Sequence, residues 1–264
     1  MSRSLSGLSH QPLSAVVVLM NLWCYPALVL WTLTGMALFP LFYLSGRLLQ
    51  LPPDRLTRLA IWIYGRGWLL LMRPFVRFRR QGMEHLTKDR PCLFAVNHFS
   101  FFDTYCMALL PVYNIMFAVR SWPFRMFWYR GFMRLARYLD VEGSPLEVIL
   151  EHCRHAFSRQ GAVLFFPEGH RSRTGELQRF YSGAFKVAIA SKVELVPLCI
   201  AGTESLLPPG RKLFRPCTVT LRVLPPIDTH DFQDRQGHIR LRKLTKERLA
   251  AALDDIRRQD AHAL

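Results

Sequence analysis

Charged residues are missing from a long opening stretch of this chain. Between Ser4 and Gly46 there is no Asp, Glu, Lys or Arg, and Leu13 to Leu44 is almost wholly apolar apart from Ser14, Asn21, Thr32 and Thr34. This reads as a membrane segment. As helix, its 32 residues would extend roughly 48 Å, more than a hydrocarbon core of about 30 Å yet too short for two crossings and a turn. Pro26 and Pro40 can break it, so a tilted single span and a hairpin bent into one leaflet both fit. A secretory signal would have a shorter apolar core and a small-residue cleavage site, and neither stands out. Arg47, Arg55, Arg58 and Arg66 follow the segment against a lone Arg3 before it, which places the main domain on the cytoplasmic face.

Residues 59–78 mix Trp62, Tyr64, Trp68 and Phe75 with Arg66, Arg73 and Arg77. That pattern fits a helix lying among lipid headgroups, or a partly buried helix with snorkelling arginines. From about Arg79 short apolar runs alternate with amphipathic stretches, the mark of a layered α/β domain. Strands are expected at Cys92–Val96, Ala162–Phe166, Leu195–Ile200 and Thr218–Val223. Ser144, Pro145 and Glu147 read as the cap, first turn and capping box of a helix whose buried stripe is Leu146, Ile149, Leu150, Cys153 and Phe157, ending before Gly161. His238 to Arg258 reads as one amphipathic helix. The expected architecture is therefore an N-terminal membrane anchor and interfacial helix over 1–78 and an α/β domain over 79–264, a mixed sheet flanked by helices.

Charge narrows the partners. The chain of 264 residues carries 35 Lys plus Arg against 19 Asp plus Glu, a net charge of +16, and 29 of the basic residues are Arg. Such a surface attracts phosphate-bearing partners, membrane or nucleic acid. The basic residues are spread along the chain and no RNP, zinc or helix-turn-helix signature occurs, so no nucleic acid partner is expected. Six cysteines without a C-x-x-C pair suggest neither a disulfide framework nor a zinc knuckle, and reduced thiols are expected.

Two constellations carry chemistry. Asn97-His98-Phe99-Ser100-Phe101-Phe102-Asp103 follows the first expected strand. On an ideal helix His98 and Asp103 would point about 140° apart, so they meet only if His98 lies on the strand-to-helix turn. If they meet, Asp103 fixes the imidazole tautomer while the other nitrogen takes a proton from a hydroxyl. No serine nucleophile belongs to the pattern, so the hydroxyl is expected on the substrate. The second constellation, Phe166-Pro167-Glu168-Gly169-His170-Arg171-Ser172-Arg173, also follows a strand. Its glycine lets backbone approach a ligand, and its arginines suit a phosphate.

In this order, with Val196-Pro197-Leu198 on the next strand, the motifs resemble those of the glycerolipid acyltransferase family, typified by bacterial 1-acyl-glycerol-3-phosphate acyltransferases, over roughly residues 80–225. The resemblance implies a membrane-bound O-acyltransferase that moves an acyl chain from acyl-CoA or an acyl carrier protein to a lysolipid hydroxyl, without cofactor or metal. By motif, His98 is the general base and Asp103 its orienting partner. Glu168, Gly169 and Arg171 shape the acceptor site, and Arg120 in FAVRSWPF is a second phosphate ligand. Asn97, Ser100, Pro167, His170, Ser172 and Pro197 support the motifs. Backbone N–H groups near Gly169 are candidates for holding the oxyanion.

Two departures bear on the acceptor. His170 stands where the family commonly has Thr, and Glu142 lies where an arginine is common, an acid that weakens a phosphate site. An acceptor other than 1-acyl-glycerol-3-phosphate is therefore the alternative within this reading: another lysophospholipid, an amino-acid lipid or an aryl lipid. A metal-dependent hydrolase using His98, Asp103 and His170 is the alternative outside it.

Overall fold

A computed structural model describes residues 14–86, 90–208 and 210–262, so Arg3 and Lys88 lie outside the described residues. Seven strands form one mixed sheet in the order β1-β7-β6-β2-β5-β3-β4. In chain order they are Val76–Gln81, Cys92–Val96, Ile115–Val119, Leu139–Asp140, Ala162–Phe165, Glu194–Ala201 and Cys217–Val223. Every pairing from β6 through β2, β5 and β3 to β4 is parallel; β7 runs antiparallel to β6 and pairs in parallel with β1. The helices are α1 (Ala15–Leu48), α2 (Pro53–Met72), α3 (Asp103–Cys106), α4 (Trp122–Arg125), α5 (Phe127–Leu135), α6 (Leu146–Ser158), α7 (Gly183–Ser191), α8 (Thr203–Leu206) and α9 (Gly237–His262).

β2 is the hub. All five of its side chains are buried, as a strand covered on both faces requires. Phe94 and Val96 join the core beneath α1 to α3, while Leu93 and Ala95 join the core beneath α6, α7 and α9. The four expected strands are present within a residue of their bounds. β1, β3 and β4 lie outside the sequence reading, β3 because its apolar run offers no periodicity to tell strand from helix.

Three expectations are corrected. The helix expected over 59–78 spans Pro53–Met72, and Val76–Gln81 is instead a strand, its pleat extended by pairing with Cys217–Arg222. Ser144 does not cap α6: the cap position is Pro145, extended at ψ 156°, and no side chain bonds the first turn. The predicted stripe nevertheless holds, with Ile149, Cys153 and Phe157 buried. Third, α1 is one helix through Pro26 and Pro40, without the hairpin turn.

α1 is long and apolar enough to cross a membrane, and little of it is buried. Its N-terminal half is nonetheless tied to the α/β domain: Asn21 Nδ2 donates to the Phe214 carbonyl at 2.9 Å and its Oδ1 accepts the Phe214 N–H at 2.8 Å, and the Tyr25 hydroxyl bonds the Lys212 carbonyl. α2 packs between α1 and the domain. Trp31 Nε1 donates to the Tyr64 carbonyl, Trp62 Nε1 to the Leu110 carbonyl, and Trp68 stacks on Phe102 with centroids 5.1 Å apart. α2 is partly buried: Leu56, Trp68, Leu69 and Met72 are buried, while Ile63 and Leu70 are exposed. The cysteines are free thiols, and burial pushes Cys92, Cys153 and Cys199 up to about 12, which leaves them unreactive.

α2 is anchored by a buried arginine. Arg58 Nε donates to the Ala136 carbonyl at 2.9 Å, one terminal nitrogen donates to Asn114 Oδ1 at 2.9 Å, and the other lies 3.7 Å from the buried Asp54 carboxylate. Removing Arg58 strips the buried Ala136 carbonyl and Asn114 Oδ1 of their donor and leaves Asp54 only the more exposed Arg159, 3.8 Å away. Arg58→Ala is expected to lower stability by roughly 3 kcal/mol, measured by denaturant unfolding of the detergent-solubilised protein; a loss below about 1 kcal/mol would mean that α2 docks through its apolar face alone.

Candidate active site

Because β2, β3, β4, β5 and β6 run parallel, the segments that leave their carboxyl ends meet along one edge of the sheet, where α/β proteins place their ligands. His98 follows β2, Arg120 follows β3, Glu142 follows β4, Glu168 to Arg171 follow β5 and Thr203 follows β6.

His98 lies on the strand-to-helix turn, and Asp103 begins α3. His98 Nδ1 is 2.8 Å from Asp103 Oδ2. The Asp103 side chain has no exposure, and His98 is 18% exposed. Oδ2 also accepts the N–H groups of Phe99 at 2.7 Å and Ser100 at 2.8 Å, while Oδ1 accepts the Thr203 hydroxyl at 2.5 Å. A buried carboxylate needs protein donors for its lone pairs, and these groups supply them. The imidazole stacks on Phe166 with centroids 4.2 Å apart, and it is Nδ1 rather than Nε2 that faces Asp103.

Glu168 is the second buried carboxylate. Its Oε1 accepts the His98 N–H at 2.8 Å and its Oε2 accepts the Gln178 N–H at 2.8 Å. Together with the Ser172 N–H, which donates to the His98 carbonyl at 2.7 Å, it locks the second motif onto the first. Burial pushes its pKa up, against the pull of the two backbone donors. Both of its oxygens therefore bond main-chain N–H groups, one of them the histidine's own.

The supporting residues have distinct tasks. Asn97 exchanges two bonds of 2.8 Å with the backbone of Ile200, fastening β2 to β6 where their ladder ends. The Pro167 carbonyl accepts the Tyr181 N–H at 2.7 Å. Ser100 Oγ accepts the Phe102 N–H at 3.4 Å, and Ser172 Oγ accepts from Thr174 N at 3.3 Å and from Gln178 Nε2 at 3.1 Å. Pro197 sits one residue before the β6–β7 ladder begins, where its carbonyl takes the Leu224 N–H. Gly169 adopts φ +72°, and a Cβ there would come within 3.1 Å of the Tyr181 ring. Its N–H is spent on the Phe166 carbonyl at 3.0 Å, so Gly169 itself is not an oxyanion donor.

Arg120 does not stand free. Its Nε is 2.6 Å from Glu142 Oε1, and the other carboxylate oxygen accepts the Ser121 N–H at 3.0 Å. That backbone bond and the guanidinium lower the Glu142 pKa. His170 and Arg171 are exposed, and with Arg120 and Arg173 they line the rim of a cavity of about 1450 Å³. The cavity runs from His98 beneath Phe101 and Tyr105, along β3 from Val119 to Ile115, and against Phe39 and Tyr64 of α1 and α2. Four strand steps make that path about 13 Å long. A polar, arginine-rimmed mouth at the histidine and an aromatic and aliphatic interior suit a molecule with an anionic head and a fatty tail. Among the described residues no group of three or more His, Cys, Asp and Glu is placed to hold a metal ion.

Sequence reasoning missed Thr203, Gln178 and the cavity. Thr203 was signalled only by its place just past a strand end; Gln178 and the cavity arise from packing between distant segments.

Residues 77–201 match the family model described as Acyltransferase. The chain is 30% identical over 212 residues to the 1-acyl-sn-glycerol-3-phosphate acyltransferase of Limnanthes douglasii, covering 77% of this chain and 70% of that one. It is 31% identical over 187 residues to the enzyme so named in Chlamydomonas reinhardtii, covering 66% of this chain and 54% of that one. The crystal structure of the 1-acyl-sn-glycerophosphate acyltransferase PlsC from Thermotoga maritima shares the fold, with a TM-score of 0.74, 22% identity, and coverage of 91% of this chain and 95% of that one.

The two oxygens of Glu168 face two N–H donors, and an amide can accept through only one of them. Glu168→Gln is expected to lower activity by about 10-fold or more through the displaced His98 backbone, read as the initial rate at saturating substrate. The raised pKa also sets a pH signature. Since the folded state holds this proton more tightly than the unfolded chain, stability falls as pH rises from the ordinary Glu range toward the raised folded value. Glu168→Gln is expected to flatten that part of the unfolding free energy against pH; an unchanged slope would place the proton elsewhere.

Proposed function

The chain belongs to the glycerolipid acyltransferase family and is an O-acyltransferase, and from that premise we propose that it moves a fatty acyl group from an acyl thioester to the free hydroxyl of a lysolipid, 1-acyl-sn-glycerol-3-phosphate giving phosphatidic acid. The observation that carries this reading is the His98–Asp103 pair at the mouth of the fatty-chain cavity. With Nδ1 held by Asp103, Nε2 takes the proton of the acceptor hydroxyl as its oxygen attacks the thioester carbonyl. When the tetrahedral intermediate collapses, the C–S bond breaks and the imidazolium returns that proton to the departing thiolate. The substrate supplies the hydroxyl, so no covalent enzyme intermediate forms. Acyl-CoA or an acyl carrier protein is the donor, and the enzyme needs no cofactor.

Arg171 is the ligand for the acceptor phosphate, with Arg173 beside it on the same rim. α1 and α2 form the membrane-docking part, and the chain from β1 onward forms the catalytic unit on the cytoplasmic face. Docking in the membrane spares the enzyme from drawing its acceptor into water at about 0.8 kcal/mol per CH₂. The hydrogen bonds of Asn21 and Tyr25 to residues 212–214 keep the N-terminal half of α1 against the catalytic unit, so the cavity opens beside the lipid from which substrate enters.

One observation favours a different acceptor. Glu142 occupies the Arg120 Nε and the Ser121 N–H, donors that a phosphate would otherwise use. A panel of lysolipids offered with labelled acyl-CoA and acyl-carrier-protein donors decides between the acceptors. Wild type is expected to convert 1-acyl-glycerol-3-phosphate, and His98→Ala to lose roughly 10²- to 10⁴-fold in rate. Arg171→Ala is expected to raise the KM for that acceptor by about 10-fold. Glu142→Gln is expected to lower the same KM by roughly two- to fivefold, since the exposed pair is weak. Transfer confined to another lysolipid would remove the phosphate assignment and keep the chemistry; transfer independent of His98 would falsify the mechanism.

A further inference from the structure

β6 ends in a corner that no motif marks. Gly202 takes φ +94°, and a Cβ there would lie 2.0 Å from the Thr218 carbonyl oxygen, so glycine alone can make the turn. The next residue, Thr203, has no exposure, and its Oγ1 donates to Asp103 Oδ1 across 100 positions of sequence. Glu204 closes the corner: its Oε2 accepts the Gly202 N–H at 2.9 Å, and its Oε1 lies 3.7 Å from Arg257 of α9. The same guanidinium bonds the Gly175 carbonyl, lies 3.3 Å from Glu176 and covers the Phe99 ring at 5.9 Å. The corner is thereby braced against both motif loops, and the Thr203 hydroxyl has little freedom to point elsewhere.

We propose that Thr203 is a positioning residue for acyl transfer, its hydroxyl setting both the rotation of the Asp103 carboxylate and the basicity of His98. The inference rests on the reading of His98 as general base. A carboxylate turns about a soft terminal torsion with broad wells. Oδ2 is shared among His98 Nδ1 and the N–H groups of Phe99 and Ser100, all within five residues of Asp103, so local contacts alone leave the far oxygen unanchored. The Thr203 hydroxyl anchors it and draws charge toward Oδ1. Without that donor the carboxylate becomes more basic, holds the imidazolium more tightly, and raises the pH at which His98 becomes available as a base.

The test compares Thr203→Val, Thr203→Ala, Thr203→Ser and His98→Ala in the full-length, detergent-solubilised enzyme, using the donor and acceptor that wild type turns over. Val and Ala are expected to lower kcat by about 10- to 100-fold, the loss of one hydrogen bond to a charged group, with both KM values within about twofold. The acid limb of kcat/KM against pH is expected to move to higher pH. Ser, which keeps the hydroxyl and loses the methyl, is expected to stay within about threefold of wild type with an unmoved limb. Should Thr203→Val fail to fold, Ser against Ala isolates the hydroxyl, since both have lost the methyl. The proposal falls if Ala keeps the wild-type rate and acid limb, or if Ser is as impaired as Ala. With His98→Ala inactive, either result removes Thr203 alone; full transfer by His98→Ala removes the general-base reading and this inference with it.

Discussion

A carboxylate withdrawn from water must find protein donors for its lone pairs, and at Asp103 this requirement organises the catalytic edge. Its donors come from three sources: the His98 ring, the backbone that opens α3, and a hydroxyl at the end of β6. They converge only if β2 stops at Val96, the chain turns at once, and β6 lies beside β2 in parallel register. Asn97, exchanging two bonds with Ile200, fixes that register one residue before the histidine. Strand order, turn and side-chain chemistry are thus a single constraint.

Glu168 extends it to the next strand. By taking the His98 N–H on one oxygen and the Gln178 N–H on the other, it makes the loop after β5 a support for the turn after β2. Two buried carboxylates near one histidine have opposite tasks. Asp103 bonds the ring, while Glu168 bonds the backbone N–H. The raised pKa of Glu168 reflects burial, which outweighs its two backbone donors.

On the other side of the histidine the structure turns apolar. α2 stacks Trp68 on Phe102, within the motif that carries His98 and Asp103, so the N-terminal helices and the turn after β2 share one core. The large cavity is the space left between that core, β3 and α1. Polar and basic side chains (His98, Arg120, Arg171 and Arg173) and aromatic and aliphatic ones thereby line one cavity.

Local pattern carried much of this. The four strands read from apolar runs, the buried stripe of α6 and the tail helix α9 all follow from periodicity, and the uncharged opening stretch follows from composition. The His98–Asp103 pairing was legible because a strand-to-turn position is a local property, and the phosphate-suited arginines because residue type states their chemistry. β1 was hidden inside an aromatic and basic stretch, since pairing with β7, 141 residues away, is what extends it. Thr203, the Arg120–Glu142 pair and the cavity were beyond reach for the same reason. The sequence by itself determined that His98, Asp103 and the residues 166–173 fall at the ends of two apolar strands, β2 and β5; the parallel register of the sheet, a long-range choice made by core packing, decided which partners each one meets.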